Sequence, residues 1–257
     1  MKRVLCRQIP PPGKSVELSE DEAGHLTKVL RMRNGDRVEA MDGHGLAQLC
    51  RLVVRGKTVL IQADADQASA TARESNPGEV VPLELEMAVL KGDAMEWVVE
   101  KAVELGVQTL IPLSTAHSVV QIGKKGPEAF QERWQKIADQ ALKQCGRLER
   151  LKISLPTSLE ERLRQDPGNA TPRFWCDEAQ NREAASLSQA LHALETQSSS
   201  TLVRLLIGPE GGWSELERDL LRISAKPVSL GPLILRAETA ALFGISLISA
   251  HFRGPST

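Results

Sequence analysis

Residues 205–214 read Leu-Leu-Ile-Gly-Pro-Glu-Gly-Gly-Trp-Ser. The apolar start predicts a buried strand, the middle a tight turn, and Ser214 with Glu217 a capping box that opens a helix. Strand, glycine turn and helix N-terminus together bring main-chain N–H groups close to a nucleotide-like ligand. One proline and three glycines between 208 and 212 hold a single backbone shape with almost no side chains in the way. That suits an adenine or a ribose held by main chain. It does not suit a triphosphate, because no lysine stands in the loop; the G-x-G-x-x-G dinucleotide fingerprint is also missing. Further on, residues 229–240 read Ser-Leu-Gly-Pro-Leu-Ile-Leu-Arg-Ala-Glu-Thr-Ala. They set Arg236, Glu238 and Thr239 at the start of the last helix. Arg236 can act as a fixed donor pair for a developing anion, with Glu238 as its orienting partner or as a base. A surface ion pair and a dipole-favoured glutamate is the plainer account of the same residues. Two such turns in one C-terminal region predict one composite site.

Other candidates are weaker. Lys91-Gly92-Asp93 stands at a predicted strand end before a helix, where open α/β sheets bind ligands, although a solvated loop lysine looks the same. Gln144-Cys145-Gly146-Arg147 ends a helix, with glycine as the stop and arginine favouring the C-terminal dipole. Cys145 has no histidine near it in sequence to activate it. Lys28, Arg31, Arg33 and Arg37 form either a solvated helix face or a strip that meets phosphates. The five histidines and four cysteines show no ligand spacing, so no metal is expected.

The elements needed to position these residues emerge from periodicity. Residues 1–64 read as short strands around one helix opened by Ser19 and Glu22, with Ala23, Leu26, Val29 and Leu30 on its apolar face. Strands at 37–41, 46–54 and 58–63, joined by glycine turns, predict a small barrel. Residues 65–80 lack apolar periodicity and mark a boundary. Strand and helix then alternate: strands at 83–90, 109–113, 151–155, 174–176 and 227–230. The helices between run from Asp93 (capped with Glu96) to Gly106, from Pro127 to Cys145, near 159–163, over 184–195, up to 225, and from 238 to 251. Residues 197–201 read as a polar loop. Such alternation implies a parallel sheet covered on both faces.

Composition sets the outer bounds. With 257 residues, 41% apolar and 25% charged, the chain is ordinarily globular. Residues 1–60 carry 11 Lys+Arg against 7 Asp+Glu, while the whole chain has a net charge of −1. A basic front on a mildly acidic body points to a polyanion. No apolar stretch reaches the length of a membrane span, and charge within residues 1–7 argues against an export signal. Reduced thiols and a cytoplasmic location are expected.

Taken together, these motifs resemble those of SPOUT-class RNA methyltransferases, and more narrowly the family that methylates N3 of a uridine in 16S ribosomal RNA. Val29-Leu30-Arg31-Met32-Arg33 with Gly35-Asp36 resembles its N-terminal signature. Lys91-Gly92-Asp93, Met95-Glu96-Trp97, Glu100-Lys101-Ala102 and Glu104-Leu105-Gly106 resemble the central one. Trp134 with Ile137-Ala138, the 144–147 run, the 207–212 bend and the Leu-Arg-x-Glu-Thr-Ala ending at Ala240 complete it.

The resemblance implies an α/β protein with a PUA-like β-barrel over residues 1–72 and a SPOUT domain over 73–257. Residues 200–250 would form a trefoil knot holding S-adenosylmethionine. A homodimer acting on 16S rRNA of the small subunit is implied as well. By carry-over, Leu206, Gly208, Pro209, Glu210, Gly211, Gly212, Leu230, Gly231, Leu235, Arg236 and Thr239 would hold the cofactor. Arg236 and Glu238 would serve catalysis, and Lys28, Arg31, Arg33, Lys91 and Arg147 would face RNA. Three positions depart from the family pattern: Leu233 and His117 stand where arginine is usual, and Ala237 where threonine is. Two alternatives stay open, a SPOUT enzyme with another target such as a ribose 2′-O, and a non-catalytic RNA-binding assembly factor.

Overall fold

The computed structural model describes residues 1–63, 72–76, 78–120, 122, 126–165, 171–179, 184–194 and 202–254. It divides into two units, Met1–Glu79 with Asp139–Arg150, and Val80–Ala138 with Leu151–Thr257. The loop expected at 197–201 and half of the linker expected at 65–80 lie outside the described residues.

The first unit is a six-stranded sheet. Its strands are β1 (Arg3–Leu5), β2 (Ser15–Glu17), β3 (Arg37–Met41), β4 (Leu46–Arg55), β5 (Thr58–Ala63) and β6 (Ala72–Glu74). The order is β1-β3-β4-β5-β2 with β6 on β4, and only the β1–β3 pair is parallel. Side chains two residues apart share a face, so Val38 and Ala40, Cys50 and Leu52, and Val59, Ile61 and Ala63 meet in one core with Leu26. The helix expected here is shorter than its pattern. α1 (Glu20–Gly24) is capped by Ser19, whose Oγ accepts from the Glu22 amide. A π turn comes next over His25–Val29, closed by the Leu30 amide on the His25 carbonyl. The wider turn rotates the chain after Leu26. Val29, expected in the core, is exposed instead.

The second unit is a parallel sheet of seven strands, order β10-β8-β7-β12-β11-β13 with β9 on β8. In chain order the elements from Val81 on are β7 (Val81–Ala88), α2 (Asp93–Glu104), β8 (Val107–Ser114), α3 (Pro127–Cys145, which from Asp139 is counted with the first unit), β9 (Lys152–Ile153), β10 (Thr157–Ser158) and α4 (Leu159–Gln165). The chain continues through β11 (Arg173–Cys176), α5 (Leu187–His192), β12 (Val203–Ile207), α6 (Glu215–Ser224), β13 (Lys226–Val228) and α7 (Ala237–Arg253). α3 starts on Pro127 and stops at Gly146 (φ 82°), the proline-first, glycine-last asymmetry its residues predict. α2 departs from expectation: its N-cap is Gly92 (φ 59°), which no side chain caps, so Asp93 is the first helical residue and not the cap. The helix expected over 184–195 is the shorter α5, capped by Ser186 and Gln189.

Leu83, Leu85, Met87 and Leu205 fill the centre of the sheet. α7 lies against β7 and β12 with Ala241, Gly244, Ile245 and Ile248 buried. A Cβ on Gly244 would fall 2.6 Å from Leu205 Cδ2, so the helix approaches the sheet at a distance only glycine allows. Among the described residues no helix is long and apolar enough to cross a membrane.

Candidate active site

In a parallel sheet all strands end on one side, and ligands bind there. Here the order β7-β12-β11-β13 sets four C-terminal ends next to each other, with Met87 beside Ile207, Ile207 beside Cys176, and Cys176 beside Val228. Each strand leads into a chemically distinctive segment: Lys91 after β7, the Gly208–Gly212 bend after β12, Asp177-Glu178 after β11 and the 229–236 loop after β13. These segments line one cavity of about 630 Å³, within the range of small-molecule sites. The two C-terminal runs therefore line one cavity.

The bend is held from behind. A Cβ on Gly208 would stand 2.9 Å from the Trp213 ring, and the indole N–H donates to the Cys176 carbonyl at 2.9 Å. Ser214 and Glu217 form the expected capping box. Glu217 reaches further, accepting the Ala116 amide at 2.8 Å. His117 then clamps the turn, its Nδ1 lying 3.1 Å from the Gly211 carbonyl and 3.0 Å from that of Gly212. Carbonyl oxygens only accept, so Nδ1 carries the proton. The His117 Cβ also occupies the space beside Gly211 that a side chain there would need, at 3.0 Å. His117→Ala is expected to weaken ligand binding in this cavity about tenfold, the order of one or two hydrogen bonds. His117→Asn, whose amide N–H can reach the same carbonyls, is expected to restore most of it. Calorimetry on both variants, with unfolding temperatures unchanged, checks this; an alanine variant that binds normally removes His117 from the site.

Of the residues expected at the cofactor, Gly208, Pro209, Glu210, Gly212, Leu230, Leu235 and Arg236 line the cavity, as does Glu238. Leu206 does not: it lies within β12, buried in the core. Gly211 faces His117, and Gly231 and Thr239 are not on the cavity wall. Lys91, expected at RNA, lines this cavity, with its amide donating to Glu210 Oε1 at 3.4 Å. Lys28 and Arg33 are exposed, and Arg31 holds a left-handed backbone (φ 53°). Arg147 is only 5% exposed, so burial takes it off the surface that would meet a polyanion.

Sequence patterns carried no sign of Cys176, Asp177 and Glu178, which β11 delivers to the cavity. Asp177 is tied to Arg218 at 2.9 Å. Burial pushes the Cys176 thiol up to about 12, so it stays protonated and a poor nucleophile at neutral pH. Leu233 lies 72% exposed on the cavity rim, and Ala237 is buried at the first turn of α7. Among the described residues no cluster of His, Cys, Asp or Glu could hold a metal ion.

Two family models match the chain. An RNA methyltransferase domain covers residues 77–249, and an RNA methyltransferase PUA domain covers residues 18–62. Fold and site thus define an RNA methyltransferase of the SPOUT class with a PUA domain in front. The small-subunit methyltransferase E of Bacillus subtilis (strain 168) is 30% identical over 251 residues, spanning 95% of this chain and 93% of that one. The chain belongs to the ribosomal RNA small subunit methyltransferase E family. A solved member from Neisseria gonorrhoeae, bound to S-adenosyl methionine, superposes with a TM-score of 0.80 at 26% identity, covering 97% of each chain. A methyltransferase from Legionella pneumophila, in complex with its cofactor SAM, has a TM-score of 0.80 at 28% identity, covering 96% of each chain.

Proposed function

We propose that this protein uses S-adenosylmethionine to methylate N3 of a uridine in the 16S RNA of the small ribosomal subunit, in the cytoplasm. The observation that carries the reading is the single cavity shared by the glycine bend and the 229–240 run, in a fold whose solved relatives hold that cofactor. The residues present fit it. Gly208 and Gly212 put residues without side chains on the wall, Ile207, Leu230 and Leu235 give it apolar surface, and Glu178, Glu210 and Glu238 bring negative charge to a ligand with a positive sulfonium and ammonium.

S-adenosylmethionine, when bound, supplies a methyl group on a positively charged sulfur. The chain's own residues do the rest. Uracil N3–H is normally paired, so the base has to be unstacked before it is presented. As N3 loses its proton, negative charge spreads over the two carbonyl oxygens. Arg236 is assigned to stabilising that charge; Glu238 lines the same cavity without an ion pair to Arg236 and is assigned to taking the proton, or to orienting Arg236 once substrate is bound. Lys91 adds a second cation from the facing β7–α2 connection. A boundary at residue 72, a knot formed by residues 200–250 and a homodimer belong to the same proposal.

Lys28, Arg31 and Arg33 are assigned to the RNA backbone. Arg31→Glu is expected to weaken RNA binding about tenfold, on the order of one or two phosphate contacts, and to leave cofactor binding alone. Equal loss of both in filter-binding and calorimetric titrations would show that the change acts through folding. The test of the whole reading uses small subunits from a strain lacking the protein, incubated with it and isotope-labelled cofactor. Digestion and mass spectrometry should return 3-methyluridine at one position. A ribose-methylated nucleoside, or no label, contradicts the reading.

A further inference from the structure

A second cavity, of about 590 Å³, opens in the same unit beside the β7–α2 connection. Leu90, Gly92 and Asp93 line it, whereas the interleaved Lys91 and Ala94 line the cavity assigned to the methyl donor. One short stretch of chain is therefore a wall common to both. We propose that the second cavity is a subsite for one unpaired nucleobase of the RNA, the neighbour of the base being methylated. This rests on the functional reading above and adds a substrate contact to it.

The chemistry of the walls matches a flat heterocycle with apolar faces and a polar edge. Leu90 and Met95 are buried and form an apolar floor. On α3, Trp134 is buried and backs the half-buried Phe130, their ring centroids 5.5 Å apart and tilted by 42°. Phe130 thereby presents a ring whose position is fixed from behind. The rim is polar. Asp93 is exposed there as an acceptor for a ring N–H, and Arg133, though paired with Glu96, keeps 60% of its side chain exposed. Two carboxylates on the rim disfavour a phosphate inside and are compatible with a base. Where a Cβ on Gly92 would project, nothing lies within 4 Å, so main chain and open space meet the ligand there. The location supplies the reason for such a site. Presenting one base to the donor unstacks its neighbour, and a second pocket beside the first recaptures the stacking lost. A base stacked on an aromatic side chain is worth on the order of tenfold or more in affinity.

The experiment uses the full chain and a fragment of small-subunit rRNA that it methylates, carrying 5-iodouridine next to the methylated position. Irradiation should cross-link the RNA to Phe130 or Trp134, located by peptide mass spectrometry. Phe130→Ala should raise the KM for RNA about tenfold, with kcat and cofactor affinity unchanged. Val119→Trp, set on the rim at a residue that is 66% exposed, should do the same by filling the mouth without touching the core. It decides the matter if Phe130→Ala fails to fold. A cross-link outside this cavity, or a normal KM in a folded variant of either kind, overturns the subsite and leaves methyl transfer standing. A parent chain that transfers no methyl overturns the functional reading and the subsite with it.

Discussion

Arg236→Ala is expected to lower the rate of methyl transfer about 10²–10³-fold without unfolding the chain, the loss seen when one preorganised donor to a developing anion is removed. Arg236 is the N-cap residue of α7 (φ −62°, ψ 152°), where its backbone is part of the helix start and its side chain makes no capping bond. It forms no ion pair with another described residue, so no carboxylate has to be displaced before the guanidinium meets an anion in the cavity. A fork of fixed donors suits charge spread over two carbonyl oxygens better than a point charge does. Arg236→Lys should therefore recover only part of the rate. Single-turnover measurements at saturating cofactor, with circular dichroism on each variant, check both statements. Unchanged turnover in the alanine variant removes Arg236 from the chemistry.

Glu86→Ala is expected to destabilise the second unit by about 3–5 kcal/mol, the range found when one partner of a buried ion cluster is deleted. Glu86 is completely buried. It accepts from Arg162 Nε at 2.6 Å and from Arg173 Nη2 at 3.3 Å, is ion-paired with Arg173 Nε at 3.1 Å, and lies 3.9 Å from Arg204. Glu84 shares Arg162 at 2.9 Å and Arg204 at 2.8 Å. Without Glu86 the Arg173 side chain, 1% exposed, keeps its charge inside the sheet and loses its nearest carboxylate. β7, β11 and β12 all carry members of this cluster, and all three end at the donor cavity. The unfolding midpoint should fall by roughly 10 °C or more. Glu84→Ala, at a more exposed carboxylate, should cost less. A change below about 1 kcal/mol for Glu86→Ala would mean that the three arginines are satisfied elsewhere.

Local signals in the sequence carried much of this structure. The ends of α3 come from Pro127 and Gly146, the start of α6 from Ser214 and Glu217, and β3 from the turn at Asn34-Gly35. The glycine bend and the Arg236–Glu238 pair were recognisable because their unusual composition is local. What stayed hidden depends on strand order. Asp177 and Glu178 reach the cavity because β11 pairs with β12, and no spacing along the chain encodes that pairing. His117 becomes a clamp only when the segment after β8 meets the bend. Glu84 and Glu86 have the alternation of a solvated strand face, yet a sheet covered on both sides takes them inside, where arginines from three other elements meet them. Val29 left the core because the helix widens into a π turn, which periodicity alone does not signal.

A crystal structure of the chain soaked with S-adenosylmethionine tests the central claim most directly. The cofactor should be found between the Gly208–Gly212 bend and the Leu230–Leu235 run, held mainly by main-chain groups, with its methyl carbon open toward Arg236. Density for it elsewhere, or a bend turned out to bulk solvent with the cavity closed, would contradict the assignment.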